Sequence, residues 1–405
     1  NNTSDIRKSR PDSVSIPEQF KANGYWTASV GKIFHSTRHQ QGEVAWHEQI
    51  MFQNDELPLV TKARQTYEAK NGSVDLRANR KNWKAHLQKL STQTRGQTPP
   101  GYGQTGLTDE QHKDGKNVRQ IINWIDQKKY GEKPFFIACG IQKPHVPFLA
   151  PQKYFDQYPP KELKFPLSPA NDWGDIPTLA MVKRFQSFGF ELGRENDSLR
   201  REYTQAYHAC ISYVDAQLGL LFKALREHNI WENTIVIFTS DHGYHLGEHF
   251  MWGKVTLFEE CARVPLIIRV PGVTRKGTKT NALVELVDFH PTLLELCGLK
   301  AKSSLQGKSL VPLLRDPDSP GKKYAYTVVS RGTKLGRSIR TNDWRYAEWG
   351  ESAMPELYNL KDDPQEYTNL AGKQTFKTQL GKMKQFLTEA QKAAIGLNRT
   401  TPSED

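Results

Sequence analysis

A chain of 405 residues is too long for one simple core, and its formal net charge of +12 with a sequence pI near 9.3 favours polyanionic partners such as sulfated glycans or nucleic acids. Hydrophobic content of 37% beside 25% charged residues is that of a globular domain, and no run approaches the ~20 apolar residues of a membrane span. Four cysteines exclude a disulfide scaffold, and Cys139, Cys210, Cys261 and Cys297 have no CxxC spacing, so buried free thiols are expected.

The first residues, Asn1 to Arg10, lack the apolar core of a signal peptide. From Ser15 the pattern predicts a short helix, with Pro17 and Glu18 in its first turn and Gly24 where a left-handed cap belongs. Tyr25 to Val30 reads as a strand running into Gly31-Lys32. The polar stretch from about Gln40 to Lys113 reads as a long irregular surface excursion. Val118 to Tyr130 is a helix with Ile121, Ile122, Trp124 and Ile125 on its apolar face, followed by a strand over Pro134 to Gly140. The same unit recurs between Glu202 and Ser240. There Tyr203, Tyr207, Ile211, Val214, Leu218, Leu221 and Leu225 fall at three- and four-residue steps, ahead of the β-rich Thr234 to Thr239.

Val264 to Val270 is a further apolar run, and Asp288 is placed to cap a helix ending at Gly298. Asp316 to Gly321 is linker-like; beyond it Tyr324 to Ser330 and Arg337 to Trp349 read as short strands, with a turn at Asn342-Asp343, and a helix over Thr375 to Ala393 closes the chain. Helix alternating with buried strand is the rhythm of an α/β fold. The division expected is a main α/β domain over residues 1–318 and a smaller α+β domain over 319–405.

The densest chemistry is Ser240-Asp241-His242-Gly243-Tyr244-His245-Leu246-Gly247-Glu248-His249, directly after the strongest strand. Ligands bind beyond the carboxyl ends of strands in such sheets, so Asp241 and His242 stand where a divalent cation is expected, the carboxylate favouring calcium or magnesium. His245, Glu248 and His249 crowd the same strand end and also match the H-x-x-E-H pattern of inverted zinc proteases. That pattern needs a helix, which Gly243 and Gly247 oppose at about 1 kcal/mol each relative to Ala. Three more segments set cations or imidazoles after strands: Gly31-Lys32-Ile-Phe-His35, Gln142-Lys143-Pro144-His145-Val-Pro147 and Trp252-Gly253-Lys254. Each lysine taken singly is most simply a solvated surface charge, and each histidine a satisfied structural side chain. Jointly, Lys32, Lys254, His35 and His145 at one sheet edge are a set that binds a tetrahedral oxyanion and supplies protons near neutral pH.

These segments, SDHGYHLGEH, MWGK and ARVP with VGKIFH and KPHVPF, resemble the type I sulfatases, most closely their iduronate-2-sulfatase-like branch. VELVDFHPTLLELCGL, RSIRTNDWRYAEW and ELYNLKDDPQEYTNL extend the resemblance over nearly the whole chain, in order. It implies an alkaline-phosphatase-like α/β fold, a central mixed sheet flanked by helices with a smaller C-terminal α+β part. It further implies that Asp241 and His242 bind calcium and that Lys32, His35, His145 and Lys254 contact sulfate. On the same analogy His145 protonates the leaving alcohol and His35 helps expel sulfate from a covalent intermediate. The Lys-x-x-His spacing of Lys32 and His35 is that of the iduronate-type branch. A sulfated carbohydrate, not nucleic acid, is the implied partner, and a periplasmic or secreted location the implied address.

One departure stands out. Sulfatases use a formylglycine made from Cys or Ser in a C/S-x-P-x-R motif and bind calcium with two consecutive Asp after the first strand, both near the N-terminus; the motif does not occur in this sequence, and its one Asp-Asp pair, Asp362-Asp363, lies far from there. The expectation is that both lie upstream of Asn1, and that this polypeptide by itself is inactive, since no covalent sulfate ester forms without the nucleophile. A phosphodiesterase or phosphonate hydrolase of the same superfamily and a noncatalytic module for sulfated glycans are the alternatives.

Overall fold

The computed structural model describes residues 13–34, 42–52, 58–74, 79, 81–83, 85–87, 89, 102–181, 186–187, 190–191, 196–300, 305–350 and 354–396. By internal contacts the chain forms two compact units, Asn1–Phe165 with Phe185–Glu232, and Pro166–Arg184 with Asn233–Asp405. The segment 319–405, expected as a smaller α+β portion, lies wholly within the second.

In the first unit, helix α1 (Ile16–Ala22) opens with the backbone N–H of Ser15 donating to the Glu18 carboxylate at 2.8 Å. It closes through Gly24 at φ +84°, as the sequence predicts. Strand β1 (Trp26–Gly31) follows, buried along its whole length. Then come β2 (Glu48–Ile50), helix α2 (Pro58–Asn71), β3 (Tyr102–Thr105), helix α3 (Lys113–Asp126), β4 (Phe135–Gly140) and β5 (Phe148–Pro151). A small ribbon, β6 (Gln186–Ser187) with β7 (Phe190–Glu191), precedes the long helix α4 (Asp197–Glu227). β1 pairs in parallel with both β2 and β4, giving the order β2-β1-β4. The β1/β4 register runs from Trp26 opposite Phe135 to Gly31 opposite Gly140.

That sheet packs Trp26, Ala28 and Val30 against Ile121, Trp124 and Ile125 of α3 and Leu225 of α4. Trp26 and Trp124 meet edge to face at 5.7 Å. Full burial of each large side chain contributes roughly 1.5–3 kcal/mol, which outweighs the weak helix preference of β-branched and aromatic residues. Two expectations change. The Gln40 to Lys113 stretch is not irregular throughout: β2 adds to the sheet, α2 is a regular helix, and β3 pairs in parallel with β5. On α4 the buried face is Tyr203, Ala206, Cys210, Tyr213, Val214 and Gln217, while Ile211 is 45% exposed. Small and polar positions carry that face, so an apolar-only count rotates it by part of a turn.

In the second unit, β8 (Val236–Thr239) pairs antiparallel with β11 (Leu266–Arg269), and the two-residue strands β9 (His245–Leu246) and β10 (Trp252–Gly253) pair antiparallel between them in sequence. Helix α5 (Phe289–Leu296) follows, then an antiparallel sheet of β12 (Ala325–Arg331), β13 (Lys334–Arg340), β14 (Trp344–Trp349) and β15 (Glu356–Asn359), and last helix α6 (Lys377–Gly396). One core cluster joins Ile176, Ala180 and Met181 to Met251, Leu257, Phe258, Trp349 and Tyr358. A second sets Ile339, Tyr346 and Leu357 against Met383 and Leu387 of α6. Asp288 does precede α5, but its side chain does not cap it. The carboxylate instead accepts from the amides of Glu285 and Lys308 and pairs with Lys322.

All four cysteines are free; Cys210 and Cys261 are buried and Cys139 and Cys297 half-buried. Among the described residues no helix is long and apolar enough to cross a membrane.

Candidate active site

Lys32 leaves β1, and the loop 141–147 leaves β4, at the carboxyl ends of two hydrogen-bonded parallel strands. The strands come close there because both end in glycine. Gly31 has φ +75°, and a Cβ on it would stand 2.1 Å from the Gly140 carbonyl oxygen. The backbone N–H of Lys32 donates to that same carbonyl at 3.3 Å.

His145 is half-buried in the loop, and its backbone N–H donates to Gln142 O at 2.8 Å. Its Nδ1 faces the Val146 carbonyl at 2.7 Å. A carbonyl only accepts, so Nδ1 carries hydrogen, and the proton gained or lost by the ring resides on Nε2. His35 lies outside the described residues.

The loop has supports that sequence reasoning missed. Asp114, 1% exposed in the first turn of α3, accepts from the amides of Gln142 at 2.9 Å and Lys143 at 2.8 Å. Asn117 donates to the Gly140 carbonyl at 3.1 Å, and the buried Lys143 donates its ammonium to Pro147 O at 3.0 Å. Polar residues at i and i+3 just ahead of an apolar helical face were the available signal.

In the second unit, Asp241 and His242 follow β8 and Lys254 follows β10. The Asp241 side chain is 66% exposed and that of His242 35%, with Oδ1 and Nε2 3.7 Å apart. Lys254 Nζ lies 3.0 Å from His242 Nε2, and His242 Nδ1 lies 2.9 Å from Gly243 O. An ammonium only donates, so this imidazole is neutral, with hydrogen on Nδ1 and its lone pair on Nε2. Gly243 makes the turn possible: its amide donates to Cys261 O at 2.9 Å, and a Cβ there would lie 1.9 Å from Glu260 O.

Among the described residues the five that crowd this strand end in sequence do not gather into one cluster, although the His245 and His249 rings lie 6.1 Å apart. His245 and His249 are fully buried and bonded to other partners, His245 to Thr256 Oγ1 at 2.8 Å and His249 to Asp172 at 3.0 Å. Glu248 accepts from the Leu246 amide at 2.6 Å. Burial, with His249 and Arg345 nearby, pushes the His245 imidazole down to about 3, so it is neutral. Burial also lowers His249, but its bond to the Asp172 carboxylate wins and holds its pKa above the ordinary value. Glu260, half-buried near Glu366, is pushed up to about 7 by desolvation and that neighbouring charge. His245 lies in a strand and Glu248–Phe250 in a 3-10 turn, with His249 at φ +53°, so the helix required by a zinc-protease motif is absent here.

A divalent cation fits the Asp241 and His242 pair in part. An exposed carboxylate and an imidazole lone pair 3.7 Å apart can share one ion, yet calcium takes 6–8 ligands. Among the described residues no group of three or more His, Cys, Asp or Glu is gathered to supply the others.

A family model described as Sulfatase matches residues 1–299, and one described as N-sulphoglucosamine sulphohydrolase, C-terminal, matches residues 247–393. A sulfatase of Formosa agariphila is 31% identical over 386 residues, covering 95% of this chain and 71% of its own. The iduronate 2-sulfatase of Mus musculus is 29% identical over 423 residues, covering 86% and 72%. Two solved structures are similar in fold. One, in complex with its substrate D-glucosamine-2-N,6-O-disulfate, has a TM-score of 0.68 at 22% identity, covering 100% of this chain and 86% of that one. The other, the phosphonate monoester hydrolase of Agrobacterium radiobacter, has a TM-score of 0.71 at 21% identity, covering 94% and 80%.

The fold is therefore the alkaline-phosphatase-like α/β class with a C-terminal α+β portion. Within that class the chain belongs to the sulfatase family, the enzymes that hydrolyse sulfuric esters.

Proposed function

We propose that this sulfatase removes sulfate from a sulfated sugar or polysaccharide, as an iduronate-2-sulfatase-like enzyme. The observation that carries the reading is the first unit's arrangement: Lys32 and His145 leave the carboxyl ends of paired parallel strands. Likeness to an iduronate 2-sulfatase over 86% of the chain and the net charge of +12 support an anionic saccharide as substrate.

In this reading Lys32 and Lys254 contact the sulfate. His145, with Nδ1 held by Val146 O, delivers the Nε2 proton to the leaving sugar oxygen. His35 would assist the release of sulfate, and a formylglycine would supply the nucleophile for the sulfur. Asp241 and His242 would contribute two ligands to a calcium ion, which would supply positive charge to the bound sulfate. The enzyme works in the periplasm or outside the cell.

The test is release of inorganic sulfate, by ion chromatography, from a panel of 2-O-, 6-O- and N-sulfated disaccharides, run beside 4-nitrophenyl sulfate and a phosphonate monoester. The protein assayed carries a C/S-x-P-x-R segment. Turnover of at least one disaccharide above the phosphonate is expected. Preference for the phosphonate would replace this reading by that of a phosphonate hydrolase, and binding of the disaccharides without turnover would leave a glycan-binding module.

A further inference from the structure

The carboxylate of Asp114 is buried, and beyond bracing the loop after β4 it has no role assigned so far. It stands at the second position of α3, where the helix N-terminus favours a negative group. Its carboxylate draws three groups at one place together: the amides of Gln142 and Lys143 at 2.9 and 2.8 Å, and Asn117 Nδ2 at 3.3 Å, which itself reaches Gly140 O. These are the last residue of β4 and two of the first three residues after it. A carboxylate that accepts two consecutive amides fixes the direction in which the chain leaves the strand, because both N–H vectors must point at one group. Lys143 Nζ in turn reaches four residues on, donating to Pro147 O at 3.0 Å. His145 thus lies within a loop tied at its root by Asp114 and across its span by Lys143.

We propose that Asp114 is a positioning residue for sulfate-ester hydrolysis, setting through the Gln142 and Lys143 amides where the His145 imidazole stands. This rests on the sulfatase reading and on His145 as the proton donor. A donor displaced by about 1 Å loses on the order of 10²-fold in rate while the fold persists. The cost appears in kcat for a poor leaving group, not in KM.

Asp114→Asn keeps the size, removes the charge and turns one acceptor into a donor facing an amide. The experiment is a double-mutant cycle of Asp114→Asn with His145→Ala, on the best disaccharide of the panel and on 4-nitrophenyl sulfate, with amide hydrogen exchange on each variant. Asp114→Asn is expected to lower kcat on the disaccharide by about 10-fold or more and on the aryl sulfate by about 2-fold or less. KM should stay the same, and the Gln142 and Lys143 amides should lose protection. In the His145→Ala background the same change is expected to cost about 2-fold or less, since its effect runs through an imidazole already gone.

A full, additive loss in that background, or equal losses on both substrates, would overturn the proposal and leave Asp114 a purely structural residue. Should Asp114→Asn not fold, Asp114→Glu, which keeps the carboxylate but displaces it by one methylene, carries the same cycle, with the same outcomes deciding. A wild type that turns over no sulfate ester would fail the sulfatase reading itself, a result distinct from an active wild type with additive mutants.

Discussion

His242 Nε2 accepts from Lys254 Nζ at 3.0 Å, so the lone pair expected to meet a metal is engaged by a cation of the protein itself. Calcium binding at His242 therefore requires the lysine to swing away, and the ion and the ammonium compete for one acceptor. In protein carrying the formylglycine segment, calcium at a hundredfold excess over its Kd is expected to stabilise by about 2.7 kcal/mol, read as a rise in Tm that a chelator reverses. Asp241→Ala should abolish the rise. Lys254→Met should keep it, with calcium bound more tightly. A full calcium response in Asp241→Ala would show that the ion binds elsewhere.

A general acid matters most when the leaving oxygen is a poor one, as a sugar alkoxide is, and least for a stable phenolate. His145→Ala should slow disaccharide hydrolysis by ~10²-fold or more and 4-nitrophenyl sulfate far less. Equal losses on both would reassign the proton donor. His35→Ala, by contrast, should slow both substrates and let a sulfate adduct build up on the nucleophile peptide, visible by mass spectrometry.

Gly243 has backbone on the side where a Cβ would go: Glu260 O would stand 1.9 Å away. Gly243→Ala forces the turn after Asp241-His242 apart from the Glu259–Ala262 helix turn. Overpacking of this kind costs roughly 1–3 kcal/mol, measured as a lower urea midpoint at unchanged m-value. A midpoint within error of wild type would mean the turn relaxes freely.

Glu260 gives stability a pH dependence. Burial and the charges of Glu366 and Glu248 push its carboxyl up to about 7 against the opposing charge of His249. Its pKa is higher folded than unfolded, so its contribution is fully present below about 4.5 and is lost as pH rises through about 7. Glu260→Gln mimics the neutral form. It is expected to stabilise the protein at pH 8, by at most roughly 3 kcal/mol, and to change little at pH 4.5. A variant less stable than wild type at pH 8 would show that the ionised carboxylate is compensated.

What the sequence disclosed follows from how local each cause is. β1, β4, β8 and α6 were legible because their apolar periods and bounding glycines act within a few residues. β2 and β3 were not: at three and four residues they are strands only because β1 and β5 lie beside them. In the site, Asp241 and His242 were legible by their place after a strand. His245 and His249 look equally chemical in the sequence, and only Thr256 and Asp172, the latter distant in the chain, show them to be structural. Asp114 was missed because the only local sign is its i, i+3 pairing with Asn117, while its other partners, the Gln142 and Lys143 amides, have no side-chain signature.

Ile176, Ala180 and Met181 belong to the second unit although first-unit segments flank them on both sides in the chain. As the polypeptide emerges from a ribosome, these apolar residues appear before α4 has been made, and their partners Trp349 and Tyr358 come about 170 residues later. At 5–20 residues per second their cluster stays incomplete for on the order of ten seconds or more, with Met251, Leu257 and Phe258 joining it only midway. Nascent chains halted between residues 232 and 349 are thus the species most exposed to aggregation, and the ones a chaperone would be expected to engage.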